Sequence, residues 1–293
     1  MQYNHNMTER WDTRGYARGR GIALASRLAE SGLYIFTTDD AKRAATDLGL
    51  PVSGVTATLG RLADAGWIVR LKRGLYAGTG RLPGGVDVHP FTLATAIVRP
   101  SAVSRWSALS YHGLTTQVPL RVTVTSPKSV TPPSMRRPLP VLRTPHQKHM
   151  WTIDAVSVEF FKVREDRYFG IDAVWVDQHF RVSIMDRERT VLDLFAHPRA
   201  FGGLDTGLET LREHGEELDL GRLVGYSLRF GSKAVNARLG WSIEQVGLHA
   251  QGLDDLRSST GPGLQLLDPS RAARGHRDGR WCVLDNVTPR PGA

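Results

Sequence analysis

The chain has 293 residues, with 38 lysines and arginines against 29 aspartates and glutamates, a formal net charge of +9. That length allows a full core and points to two domains, and the positive balance makes a polyanionic partner an expectation. A single cysteine, Cys282, excludes an internal disulfide, a CxxC pair or a thiolate zinc site; no segment approaches the roughly 18 apolar residues of a membrane span, and the polar opening has no signal-peptide core, so the chain reads as cytoplasmic with no membrane partner.

Residues 1–15 are polar and read as a flexible N-terminus. From 16 to 84 the pattern predicts three helices and a hairpin. In the first helix Ile22, Ala25, Leu28 and Ala29 recur at helical spacing, and Gly32 ends it. Thr37 or Thr38 caps the second, with Asp39 and Asp40 in the first turn, where carboxylates suit the helix dipole; Ala41, Ala44, Ala45 and Leu48 make its buried stripe. Gly49 suits a turn needing positive φ, and Pro51 suits the start of the next helix. The third helix buries Val55, Leu59 and Leu62.

The opposite face of that third helix carries Ser53, Thr56, Ala57, Gly60 and Arg61, with Thr58 beside them. Small side chains allow close approach to another surface, and Ser, Thr and Arg supply donors for phosphates and base edges. After Gly66, "WIVRL" and "LYAGT" read as two strands around "KRG", with Gly74 in the tight turn and Arg70, Lys72 and Arg73 on the ribbon. Helix order, outer face and basic hairpin together predict a winged helix-turn-helix. The predicted DNA-binding residues are therefore Ser53, Thr56, Thr58, Arg61, Arg70, Lys72 and Arg73.

"PGGVDVHP" marks a junction near residue 84, and 85–293 reads as a larger, mixed α/β domain, making the whole an α+β protein. Residues 88–153 contain no Asp or Glu, so their cations must lie outward or find carboxylates from distant segments, because burying unpaired charge is costly. Arg105, Arg121, Lys128, Arg136 and Arg137 are the candidates for a partner-facing surface, the last two in a proline-rich stretch expected to be extended. Valine pairs at two-residue spacing then predict strands: Val122 and Val124, Val156 and Val158, Val174 and Val176, and Val182 with Ile184. Asp186 is placed to cap a helix burying Val191, Leu194 and Phe195, with Glu188 exposed among Arg187 and Arg189; three more helices follow, marked by Leu204, Leu208 and Leu211, by Leu220, Leu223 and Val224, and by Val235, Leu239 and Ile243. "LQLLD" and "WCVLD" are expected to pair as a terminal hairpin.

Catalytic motifs are missing from the sequence: there is no phosphate loop, HExxH or GxSxG elbow. Asp186, Glu188 and Asp193 read as a cap and ion-pairing residues before they read as metal ligands, and no cofactor or catalytic residue is expected. "SRWSALSYHGLTTQVPLRVTVTS" at 104–126, "VSIMDRERTVLDLFAHPRAFGGLDTGLETL" at 182–211 and the late "LLDPSRAARGHRDGRWCVLDN" resemble the AbiEi family, the antitoxins of type IV toxin-antitoxin systems. The resemblance implies an N-terminal winged helix that represses its own operon at inverted repeats in double-stranded DNA. It also implies a C-terminal domain that neutralises a nucleotidyltransferase-type toxin. Two other classes remain open from the residues alone: an effector-responsive repressor, which needs a deep apolar pocket with convergent polar groups, and a nucleic-acid enzyme, which needs clustered acidic residues around a divalent metal.

Overall fold

A computed structural model describes residues 13–130, 150–153 and 155–288. They form an α+β protein of two compact units: residues 1–97 with 153–155, and residues 98–152 with 156–293. The expected change of pattern near residue 84 thus falls inside the first unit, which continues to Ile97.

In the first unit, helix α1 (Thr13–Glu30) packs against two further helices. Strand β1 (Ile35–Thr37) leads directly into α2 (Thr38–Asp47). The join is a capping box: the Thr37 hydroxyl accepts from the Asp40 backbone N–H at 3.2 Å, and the Asp40 carboxylate accepts from the Thr37 N–H at 2.7 Å. The Thr37 hydroxyl and N–H, with Arg43, hold the Asp40 carboxyl below its ordinary value. Such a cap is worth about 1 kcal/mol. Gly49, at φ 66°, turns the chain into a single 3-10 turn at Val52–Gly54 and then α3 (Val55–Asp64).

Val55, Leu59 and Leu62 of α3 join Leu24, Leu28, Ala41 and Ala45 in one core. Gly21 lets α1 and α3 approach closely, since a Cβ there would stand 3.2 Å from the Thr58 methyl and 3.4 Å from Leu62. Strands β2 (Ile68–Lys72) and β3 (Leu75–Gly78) form the hairpin, and β1 adds to β3 to give an antiparallel sheet in the order β1-β3-β2. The third strand has no periodicity of its own at three residues' length. It is held by its register, Ile35 opposite Ala77 and Thr37 opposite Leu75. Helix α4 (Pro90–Ile97) completes the unit.

The second unit is built on a mixed six-stranded sheet. In chain order the sheet and its first helix are β4 (Ala102–Val103), α5 (Arg105–Tyr111), β5 (Val122–Ser126), β6 (Met150–Ile153, its last residue grouped with the first unit), β7 (Val156–Lys162), β8 (Ile171–Trp175) and β9 (Arg181–Met185). The strand order is β6-β7-β5-β4-β9-β8. β4 runs parallel to β9 and antiparallel to β5, while β5 and β7 are parallel from Val122–Val158 to Ser126–Lys162. Five helices follow: α6 (Arg187–Ala196), α7 (Asp205–His214), α8 (Leu220–Phe230), α9 (Lys233–Gln245) and α10 (Leu253–Ser258). Their apolar stripes meet in a core that includes Val191, Leu194, Phe195, Leu208, Leu223 and Leu239.

The C-terminal segments differ from the expected hairpin. β10 (Gln265–Leu266) lies parallel to β12 (Val283–Asp285), and the polar stretch between them supplies β11 (His276–Asp278), the antiparallel partner of β12. Packing explains the rearrangement. Trp281 is 1 % exposed, its indole N–H donates to Glu244 at 2.7 Å, and its ring occupies the space over Gly240 that a Cβ would need.

Candidate nucleic-acid interface

The face of α3 opposite its buried stripe is polar and open. Thr56, Ala57, Gly60 and Arg61 are exposed, as is Ser53 in the 3-10 turn just before the helix, while Thr58 is only half exposed because its methyl faces Gly21 of α1. The Thr58 hydroxyl accepts from the Arg61 guanidinium at 3.2 Å, so Thr58 orients Arg61 instead of presenting itself. The glycine and alanine on this face leave little side-chain bulk above the helix backbone.

The hairpin carries its cations on the exposed side. A register irregularity between Arg70 and Lys72 turns Leu71 into the core, where it is 2 % exposed, and leaves Arg70 and Lys72 outward on either side of it. Arg73 and Gly74 make the two-residue tip, with Gly74 at φ 75°. The tip is tied to α2, because the Thr38 N–H donates to the Gly74 carbonyl at 3.0 Å. Lys72 has a task the sequence does not announce: its ammonium donates to the carbonyl of Ile97 at 2.6 Å, at the end of α4. Arg70 and Arg73 have no side-chain hydrogen-bond or ion-pair partner among the described residues, unlike Lys72.

Beside α3 and the hairpin lies a hollow of about 680 Å³ lined by Asp64, Arg70, Arg81 and Asp87, among others. Two carboxylates offset two guanidiniums there, so it has no net charge to select an anion.

Residues 24–77 match the family model described as transcriptional regulator, AbiEi antitoxin. The AbiEi-type segment runs from within α1 through α2, α3 and the hairpin to Ala77 and so contains every predicted DNA-binding residue. The stretches 104–126 and 182–211, from which the resemblance is read in the sequence, lie outside the matched segment. No curated protein matches the chain. Among solved structures, the chain is similar to the RV2827C protein of Mycobacterium tuberculosis, with a TM-score of 0.61 at 15 % identity over 90 % of each chain. That likeness extends the shared fold across both units. The AbiEi match makes the chain a candidate antitoxin-type regulator, and no helix among the described residues is long and apolar enough to cross a membrane.

The acid-free window resolves differently in the second unit. Arg136 and Arg137 lie outside the described residues. Lys128 is exposed, and Arg121 faces Glu159 at 4.0 Å. Arg105 does not lie outward as expected: its guanidinium stacks on the Phe161 ring at 3.6 Å, and its backbone adopts φ 52°. Burial lowers its pKa, and the charges of Asp193 and Glu159 offset part of that effect.

The acidic residues considered as metal ligands are all engaged in protein contacts. Asp186 caps α6 by accepting from the Arg189 N–H at 2.7 Å and also accepts from the Tyr226 hydroxyl. Glu188 is 6 % exposed, not on the surface as expected, because the chain entering α8 folds over it: it accepts from the Asp219 N–H at 3.0 Å and faces Arg222. Asp193 pairs with Arg189 at 2.5 Å in the core. Burial by itself would raise the Asp193 carboxyl, but Arg189, His197 and Arg105 hold it below its ordinary value. Burial pushes neighbouring His197 down to about 4, with Asp193 acting against the shift.

Proposed function

We propose that the chain is a DNA-binding antitoxin that represses its own operon at an inverted repeat and neutralises a nucleotidyltransferase-type toxin in the cytoplasm. One observation carries the reading: residues 24–77 match AbiEi regulators, and within them the unburied face of α3 is followed by a hairpin with unpaired arginines. In this proposal Ser53, Thr56 and Arg61 face the major groove. Arg70 and Arg73 meet phosphates, and Thr58 and Lys72 hold the interface in shape. Residues 16–84 carry the DNA-binding activity, 85–293 carry neutralisation, and the chain itself catalyses no reaction.

The test has two arms. The full chain is titrated onto duplex from upstream of its own gene and onto random duplex at about 150 mM salt. Specific operators are typically bound 10³-fold or more tighter than random sequence, and equal affinity for the two duplexes would end the repressor reading. Cells expressing a nucleotidyltransferase-type gene, where one is found beside this chain's own, are then scored for growth with and without this chain. Growth arrest that the chain does not relieve would end the antitoxin reading and leave the DNA arm intact.

A further inference from the structure

The second unit contains a groove of about 740 Å³ walled by Trp106, Phe161 and the loop residues Val118 to Leu120, with Arg105, Arg121 and Arg199 opening into it. We propose that this groove binds a small organic anion with a flat aromatic body, of the nucleoside-phosphate class. The inference stands independently of the DNA-binding reading.

Four observations converge on it. The first is charge: three guanidiniums and one carboxylate, Glu159, line the groove, leaving a local excess of two positive charges. The second is the state of Arg105. It is half-buried and stacked on Phe161 at 3.6 Å, and no carboxylate lies within ion-pair distance among the described residues. A half-buried cation with no direct ion pair, whose nearest carboxylates Asp193 and Glu159 offset only part of its burial, is suited to receive a further anion from a ligand. Its left-handed backbone, φ 52° in a residue other than glycine, is the kind of local strain that concentrates at binding sites.

The third observation is the aromatic wall. The Trp106 indole is fixed by a 3.1 Å hydrogen bond to the Ala200 carbonyl and packs on Phe201, with ring centroids 5.3 Å apart. Arg199 is fixed too, its Nε donating to the Pro269 carbonyl at 2.9 Å, which leaves its terminal nitrogens for the groove. The fourth is the rim: Val118 and Leu120 are 85 % and 96 % exposed, an unusual state for two branched apolar side chains flanking a single proline, and both border the groove. The fixed Trp106 indole suits a ring, the guanidinium forks suit a phosphate or carboxylate, and the volume lies within the roughly 300–1,000 Å³ of small-molecule sites. A flat protein-docking surface would not need Arg105 withdrawn onto Phe161.

The test is calorimetric titration of the full chain with each of the four common nucleoside triphosphates, with a nucleoside alone, and with inorganic phosphate alone. At least one nucleotide is expected to bind at least about tenfold more tightly than either half. Leu120→Asp changes an exposed side chain and should leave the thermal melt unchanged, while Arg121→Glu, run beside Arg121→Gln because a glutamate there faces Glu159, weakens nucleotide binding by about tenfold or more in both variants. Arg105→Gln is the sharper variant, interpreted only if its melt matches the parent's. No measurable heat from any nucleotide at millimolar concentration would overturn the proposal, as would an affinity unmoved by Arg121→Glu. Binding of an acidic polyglutamate peptide to the parent but not to Arg121→Glu, with no nucleotide competing, would also overturn it by showing a protein-docking groove.

Discussion

Replacing Arg70 and Arg73 together by alanine should reduce the salt dependence of DNA binding by about two phosphate contacts, whereas Lys72→Ala should barely change it. The three cations look equivalent in the sequence, but the Lys72 ammonium is held at 2.6 Å by the Ile97 carbonyl while Arg70 and Arg73 have no protein partner among the described residues. Each phosphate contact contributes about 0.9 to the slope of log affinity against log salt. Losing two lowers the slope by about 1.8, so on a threefold rise in salt the parent should lose about sevenfold more affinity than the double variant. Lys72→Ala should instead appear in stability, costing about 1 kcal/mol for the bond to Ile97. Fluorescence anisotropy of a random duplex between about 0.1 and 0.3 M salt, with a urea titration of each variant, reads both effects. Equal slopes for the parent and the double variant, or a slope for Lys72→Ala as low as that of Arg73→Ala, would refute the assignment of the wing cations.

Arg61→Ala should cost about 1–3 kcal/mol at the operator and relax base preference there, without the uniform loss across sequences that a phosphate contact gives, as measured by competition with operator variants. In the second unit, Asp193→Ala strands Arg189, which is 1 % exposed, and should destabilise by about 3–5 kcal/mol in urea unfolding; the double change Arg189→Met with Asp193→Leu should recover most of that loss. His197 titrates at about 4 in the folded chain against about 6.5 when unfolded, so between those values the unfolded state binds the extra proton. Stability should therefore fall as pH drops from about 6.5 to about 4, by an amount on the order of 3 kcal/mol. His197→Gln should flatten unfolding midpoints measured across that window, and an unchanged profile would show that His197 is not held neutral.

The sequence by itself determined whatever depends on neighbours along the chain. Thr37 or Thr38 ahead of Asp39 and Asp40 specifies a capped helix start, which the structure resolves to a Thr37–Asp40 capping box; Val55, Leu59 and Leu62 specify which side of α3 is buried, and Gly74 specifies the hairpin tip. The helices from α6 to α9 were legible for the same reason, since each carries its own apolar period. Tertiary structure decided what period and spacing cannot encode. β1 and β4 are strands of three and two residues whose pairing comes entirely from partners elsewhere in the chain. Glu188 reads as a surface carboxylate by its neighbours, yet it is buried because Asp219 and Arg222, some thirty residues later, need its oxygens. The hairpin lysine was separated from its two arginines only by the carbonyl of Ile97, which α4 brings to it. The groove around Arg105 is assembled from α5, the loop before β5, strand β7 and the turn after α6. No local pattern links Trp106 to Phe161 or Arg199, because their convergence is a property of how the sheet and helices pack.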